Sequence, residues 1–112
     1  MQELQSIEQW HDLWEESASR TVFLLKHSTS CPISAEAFQV FQDFIEAQQK
    51  PDLQFALVKV IEQRPVSNAI AEELQIKHES PQLFIVKNKH VIWHDSHWRI
   101  TTDQLEEQLA AL

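Results

Sequence analysis

Along the 112-residue chain, four stretches repeat apolar residues at helical spacing, and four shorter ones run apolar and β-branched as strands do. Ser6 followed three residues later by Gln9 marks a capped helix start, and Ile7, Trp10, Leu13 and Trp14 then fall on one stripe, predicting a first helix of about three turns. The two tryptophans at this spacing read as packing residues rather than a ligand platform. Arg20 to Lys26 (RTVFLLK) predicts a buried strand. Ile33, Ala37, Phe38, Phe41, Phe44 and Ile45 then follow the spacing of one helix face until the polar Gln48, predicting a helix from about Pro32 to Gln49 that ends before Pro51-Asp52. Phe55 to Ile61 (FALVKVI) predicts a second strand, and strand, helix, strand implies a right-handed parallel βαβ unit. Arg64-Pro65 opens a third helix, with Val66, Ala69, Ile70 and Leu74 on its buried face, ending before Lys77-His78-Glu79-Ser80-Pro81. Leu83 to Val86 and Val91 to His94 form an antiparallel pair across Lys87-Asn88-Lys89-His90, where Asn88 tolerates the positive φ of a tight turn. Thr101 with Gln104 caps a last helix striped by Leu105, Leu109 and Leu112. The pattern predicts an α/β fold, a central four-stranded mixed sheet flanked by helices in the order α-β-α-β-α-β-β-α, with residues 1–112 as a single domain.

Composition narrows the function more than the fold. Hydrophobic residues make up 43% of the chain, ordinary for a globular domain, and no run approaches the roughly 18 apolar residues of a membrane span. No membrane association is expected. Seventeen acidic against nine basic residues give a net charge of -8, which argues against a nucleic-acid partner. The N-terminal MQELQSIEQWHD lacks the pattern of a secretory signal, and one cysteine makes no internal disulfide, so a reducing cytoplasm is the expected compartment. Glycine is absent where about 7% is typical, which excludes Gly-rich phosphate loops.

The candidate chemistry gathers at Ser28-Thr29-Ser30-Cys31-Pro32-Ile33-Ser34, where the first strand pattern hands over to a helix pattern. Pro32 suits a first helical turn, placing Cys31 at a helix N-terminus. The unpaired N–H groups and dipole there favour an anion, and thiolates in such places have pKa values down to roughly 3.5–7.5. The alternative is a cysteine serving as a small buried hydrophobe. Ser34, one turn on, is placed either to donate to the thiolate or to satisfy a local backbone group. Lys26 and His27 leave the strand just before the loop, where a cation would lower the thiol pKa; alternatively, Lys26 is a solvated strand end. His78 reads as a loop histidine able to approach the site. His90, His94 and His97 with Asp95 invite a metal reading, but no companion cysteine or ordered ligand spacing supports one. A Cys-His hydrolase using His27 or His78 as base lacks an evident orienting group.

A helix-start cysteine after a first parallel strand, then a βα unit, an X-Pro step, a hairpin and a terminal helix resembles the thioredoxin fold over nearly the whole chain. The resemblance implies a cis bond at Ser80-Pro81, across from Cys31. Where the usual motif is Cys-x-x-Cys, this chain has Cys31-Pro32-Ile33-Ser34 and no resolving thiol. With Lys26-His27-Ser28-Thr29-Ser30 before it and His78-Glu79-Ser80-Pro81 later, the motif looks like that of the monothiol bacilliredoxins. Ser30 replaces the residue before the cysteine in that family's Thr-Cys-Pro-Ile-Ser pattern. The resemblance implies removal of bacillithiol from S-bacillithiolated proteins, with Cys31 as nucleophile and bacillithiol as co-substrate. No bound cofactor or metal is implied. It implies that Ser80 and Pro81 align the incoming disulfide; with the local chemistry above, Pro32, Ser34 and Lys26 are the candidate thiolate-stabilising residues, and Thr29, Ser30, Ser80, Pro81 and His78 the candidate substrate-binding ones. The alternatives are an iron–sulfur or metal-carrying monothiol glutaredoxin-like module, against which Pro32 and Ile33 in place of Gly and Phe argue, and an adaptor with an inert cysteine.

Overall fold

The computed structural model describes residues 1–48 and 50–112. The elements follow in the order β1 (Gln2–Glu3), α1 (Ile7–Glu16), β2 (Thr21–His27), α2 (Pro32–Ala47), β3 (Leu53–Lys59), α3 (Arg64–Leu74), β4 (Gln82–Lys87), β5 (His90–Ser96), a 3-10 turn (His97–Arg99) and α4 (Thr102–Ala110). The sheet order is β1-β3-β2-β4-β5, with β1, β3 and β2 parallel and β4 and β5 antiparallel to their neighbours. Among the described residues five strands stand where four were expected. The extra one, β1, has two residues, too few to show alternation in a sequence.

Strand parity sorts the core into two layers. Val22 and Leu24 of β2, Ala56 and Val58 of β3, and Phe84 and Val86 of β4 pack against Trp10, Leu13, Val66 and Ile70 of α1 and α3. The alternate residues Phe23, Leu25, Leu57, Leu83 and Ile85 pack against Ala37, Phe41, Phe44 and Leu105 of α2 and α4. All seven residues of β2 are buried, as befits a central strand covered on both faces.

Local chemistry sets most boundaries. Ser6 Oγ accepts the Gln9 N–H at 3.1 Å, while the Gln9 side chain reaches back to the N–H of Gln5 rather than Ser6. Thr101 Oγ1 accepts the Gln104 N–H at 3.2 Å. Asn88 and Lys89 both have positive φ, and the turn docks on the end of α1, where the Asn88 N–H donates to Ser17 O and the Lys89 N–H to Ser17 Oγ. Two expected boundaries are corrected, and a third falls outside the described residues. The run FALVKVI overshoots β3, since Val60 and Ile61 lie in the following turn and Ile61 is exposed. Helix α2 ends at Ala47, and the expected end at Gln49 lies outside the described residues. Leu112 lies beyond α4 and is exposed, so the last stripe stops at Leu109.

Candidate active site

Cys31 is the N-cap residue of α2, with extended backbone (φ -112°, ψ 122°), and Pro32 occupies the first helical turn. The thiol is half-buried. Its pKa is lowered first by the backbone N–H of Ser34, against a smaller opposing effect of burial, and further by the Ile33 N–H and the Ser34 hydroxyl. The two N–H groups are among those a helix start leaves unpaired, and the first turn of α2 carries no acid to oppose a thiolate. Ser34 is fully buried. Its Oγ accepts the Ser28 N–H at 3.3 Å, so one hydroxyl fastens the loop and also acts on the sulfur. Thr29 and Ser30 are exposed on the loop; Thr29 Oγ1 donates to Glu62, and the Ser28 and Ser30 hydroxyls lie 3.3 Å apart.

The two basic residues before the loop are both buried, and neither is among the groups that lower the thiol pKa. His27 is buried and stacks on Phe38 at 4.9 Å between ring centroids. Burial lowers its pKa, the Ser34 carbonyl opposes this, Lys59 lowers it further and Glu62 raises it. Lys26 is fully buried, which corrects the reading of a solvated strand end. Position 26 has the parity of Val22 and Leu24, so its side chain turns to the α1/α3 layer. There Nζ donates to Ser67 O at 3.0 Å and meets His78 Nδ1 at 3.1 Å, 5.9 Å from the Phe84 ring centroid. Burial lowers its pKa to about 8. Lys26 is not among the groups that lower the Cys31 pKa.

Across the sheet, Lys26 pairs in register with Gln82, so the chain leaving β2 toward Cys31 and the chain entering β4 from Pro81 lie at the same end of adjacent strands. The Ser80–Pro81 peptide is cis. Pro81 is buried, and its carbonyl accepts the His97 N–H at 3.1 Å. Buried Ser80 Oγ has no hydrogen-bond partner among the described residues. His78 is exposed on the preceding loop, its Nδ1 facing Lys26 Nζ and Ser67 Oγ. The Glu79 carboxyl pKa is lowered chiefly by the Ser96 hydroxyl, against an opposing effect of burial, and further by His97, Arg99 and Lys77. An open groove of about 350 Å³ runs from Ile33 and Ala37 of α2 to His97, Trp98 and Ile100.

Sequence reasoning missed Gln82, Ser67 and Glu79. A lysine in phase with Val22 and Leu24 on a central strand was the available signal, since a buried ammonium requires polar partners. His90 and His94 are exposed on β5, Asp95 pairs with Arg99, and His97 Nδ1 lies 3.1 Å from Ser96 Oγ. Among the described residues no three histidines, cysteines or acids are grouped to hold a metal. No helix of the described residues is long and apolar enough to cross a membrane.

A cysteine at the start of α2 and a cis-proline at the same end of a mixed sheet with helices on both faces define a redox protein of the thioredoxin-like class. Thioredoxins of Fasciola hepatica and of yeast mitochondria (Saccharomyces cerevisiae thioredoxin 3) share the fold, with TM-scores of 0.77 and 0.75. Their identities are 15% and 18%, over 99% and 100% of this chain and 98% and 95% of theirs. A solved structure described as a proposed oxidoreductase with a thioredoxin fold is 36% identical over 95% of this chain and 90% of its own, with a TM-score of 0.84. Residues 2–105 match the family Monothiol bacilliredoxin BrxC, and the chain belongs to that family.

Proposed function

We propose that the protein is a monothiol bacilliredoxin acting on S-bacillithiolated proteins in the cytoplasm. The Cys31 thiolate attacks the bacillithiol sulfur of the mixed disulfide. The old S–S bond breaks, its electron pair leaves on the client sulfur, which takes up a proton, and a Cys31–bacillithiol disulfide forms. The observation that carries this reading is the lone Cys31 at the N-terminus of α2, its thiol pKa lowered by the helix's first-turn N–H groups, in a chain of this family. Ser80 beside Pro81 offers its backbone to align the incoming disulfide, with Thr29, Ser30 and His78 at the rim. With one cysteine in the sequence, the chain accepts the small thiol but does not expel it internally, so a second low-molecular-weight thiol completes the cycle.

Mass spectrometry of protein exposed to a bacillithiolated model substrate should show a one-to-one bacillithiol adduct at Cys31 that persists until another thiol is added. Cys31→Ser should abolish transfer, because a serine hydroxyl is not ionised at neutral pH. Transfer by Cys31→Ser at the wild-type rate would remove both the nucleophile and the function.

A further inference from the structure

We infer that Lys26 and Gln82 are positioning residues that hold the Lys77–Ser80 loop, and through it the Ser80 backbone, in line with the incoming disulfide. This rests on reading Cys31 as the exchange nucleophile. The two are register partners on adjacent central strands, exposed by 0% and 1%, on the face that α1 and α3 cover. Both spend their polar atoms on the loop. Gln82 Nε2 donates to Lys77 O at 3.1 Å, and its Oε1 accepts the Glu79 N–H at 3.3 Å. Lys26 Nζ meets His78 Nδ1 at 3.1 Å and is fixed from below by Ser67 O of α3. Three consecutive loop residues, 77, 78 and 79, are thus each tied to one of two buried side chains.

Apolar residues of similar volume would satisfy the core with less desolvation, so a buried ammonium and amide here specify the geometry of what they hold. Lys26 Nζ is engaged by Ser67 O and His78 Nδ1, which makes the loop its route to the reaction. Misplacing a reacting partner by a fraction of a bond length costs rate even when the nucleophile is intact.

The test compares two reactions of the same sulfur. Reduction of a bacillithiolated model protein needs an aligned disulfide; alkylation by iodoacetamide needs only the thiolate. Lys26→Met keeps the bulk and removes both hydrogen bonds. It should lower kcat/KM for exchange about tenfold while alkylation stays within about twofold. His78→Ala unties the contact from the exposed side and should lower exchange about threefold, and His78→Gln, whose Oε1 accepts a hydrogen bond, should restore it. If Lys26→Met does not fold, the His78 pair decides the matter. A parallel fall in exchange and alkylation overturns the inference by placing Lys26 on the thiolate, and so does unchanged exchange in a folded Lys26→Met or His78→Ala. A wild-type protein that alkylates readily yet never reduces the mixed disulfide refutes the proposed function instead, whatever the variants do.

Discussion

Residues 28–34 and residues 77–81 lie at one end of neighbouring strands, yet the thiol of the first loop is set from within, whereas the second loop is held both by its neighbour Gln82 and, through His78, from across the fold. In the cysteine loop the Ser28 N–H meets Ser34 Oγ six positions away, and the groups that lower the thiol pKa belong to Ile33 and Ser34. In the proline loop His78 is met by Lys26 from 52 positions away, and Lys26 is fixed by Ser67 from 41. The nucleophile is therefore built by a helix start that any chain can make, while the surface beside it depends on two central strands pairing in the right register.

The comparison breaks most visibly at Lys26. Its pKa of about 8 against an ordinary 10.5 means that the unfolded chain binds more protons between these values. Folding stability should then rise with pH through that interval, by on the order of 2–3 kcal/mol, because the cost of burying the charged ammonium is present in full below about pH 8 and gone above about 10.5. Between about pH 8 and 10.5 wild type should gain that amount of stability relative to Lys26→Met, which does not titrate there; a constant difference in denaturation curves would mean that the ammonium is not desolvated. Ser34→Ala sharpens the other half. It leaves the buried Ser28 N–H without its acceptor, which should cost about 1–2 kcal/mol, and the thiol titration should move upward while staying below that of a free cysteine, since the Ser34 N–H remains. An unmoved midpoint in the iodoacetamide pH profile would show that the backbone alone sets the thiolate. The smallest effect belongs to Thr29→Ala, which releases an exposed contact with Glu62 and should change stability by less than about 0.5 kcal/mol. A larger loss in urea titration would show that the cysteine loop also depends on a distant anchor.

The same division explains what the sequence disclosed. Cys31 before Pro32, the order of elements, and the capped starts at Ser6 and Thr101 are written in residues a few positions apart, and each was readable. Lys26 was not, because a lysine closing an apolar run looks like a strand end until β4 is laid beside it. Gln82 sits just after Pro81 and resembles a loop residue, although the register with Lys26 buries it. The two-residue β1 exists only because β3 is there to pair with it. What stayed illegible was whatever a partner strand or helix had to supply.

The absence of glycine has a consequence that lies outside the folded state. Among the described residues Gln75, Asn88, Lys89 and His97 take φ between 54° and 57°, a region that costs most side chains about 1–2 kcal/mol each. The offsetting gain is in the denatured ensemble. A chain in which every residue carries a Cβ has fewer backbone states to lose, and each glycine replaced at an unstrained position is worth about 0.4–1 kcal/mol for that reason. This protein accepts strain at four described residues in three turns and, in return, unfolds into a stiffer and less populous set of conformations.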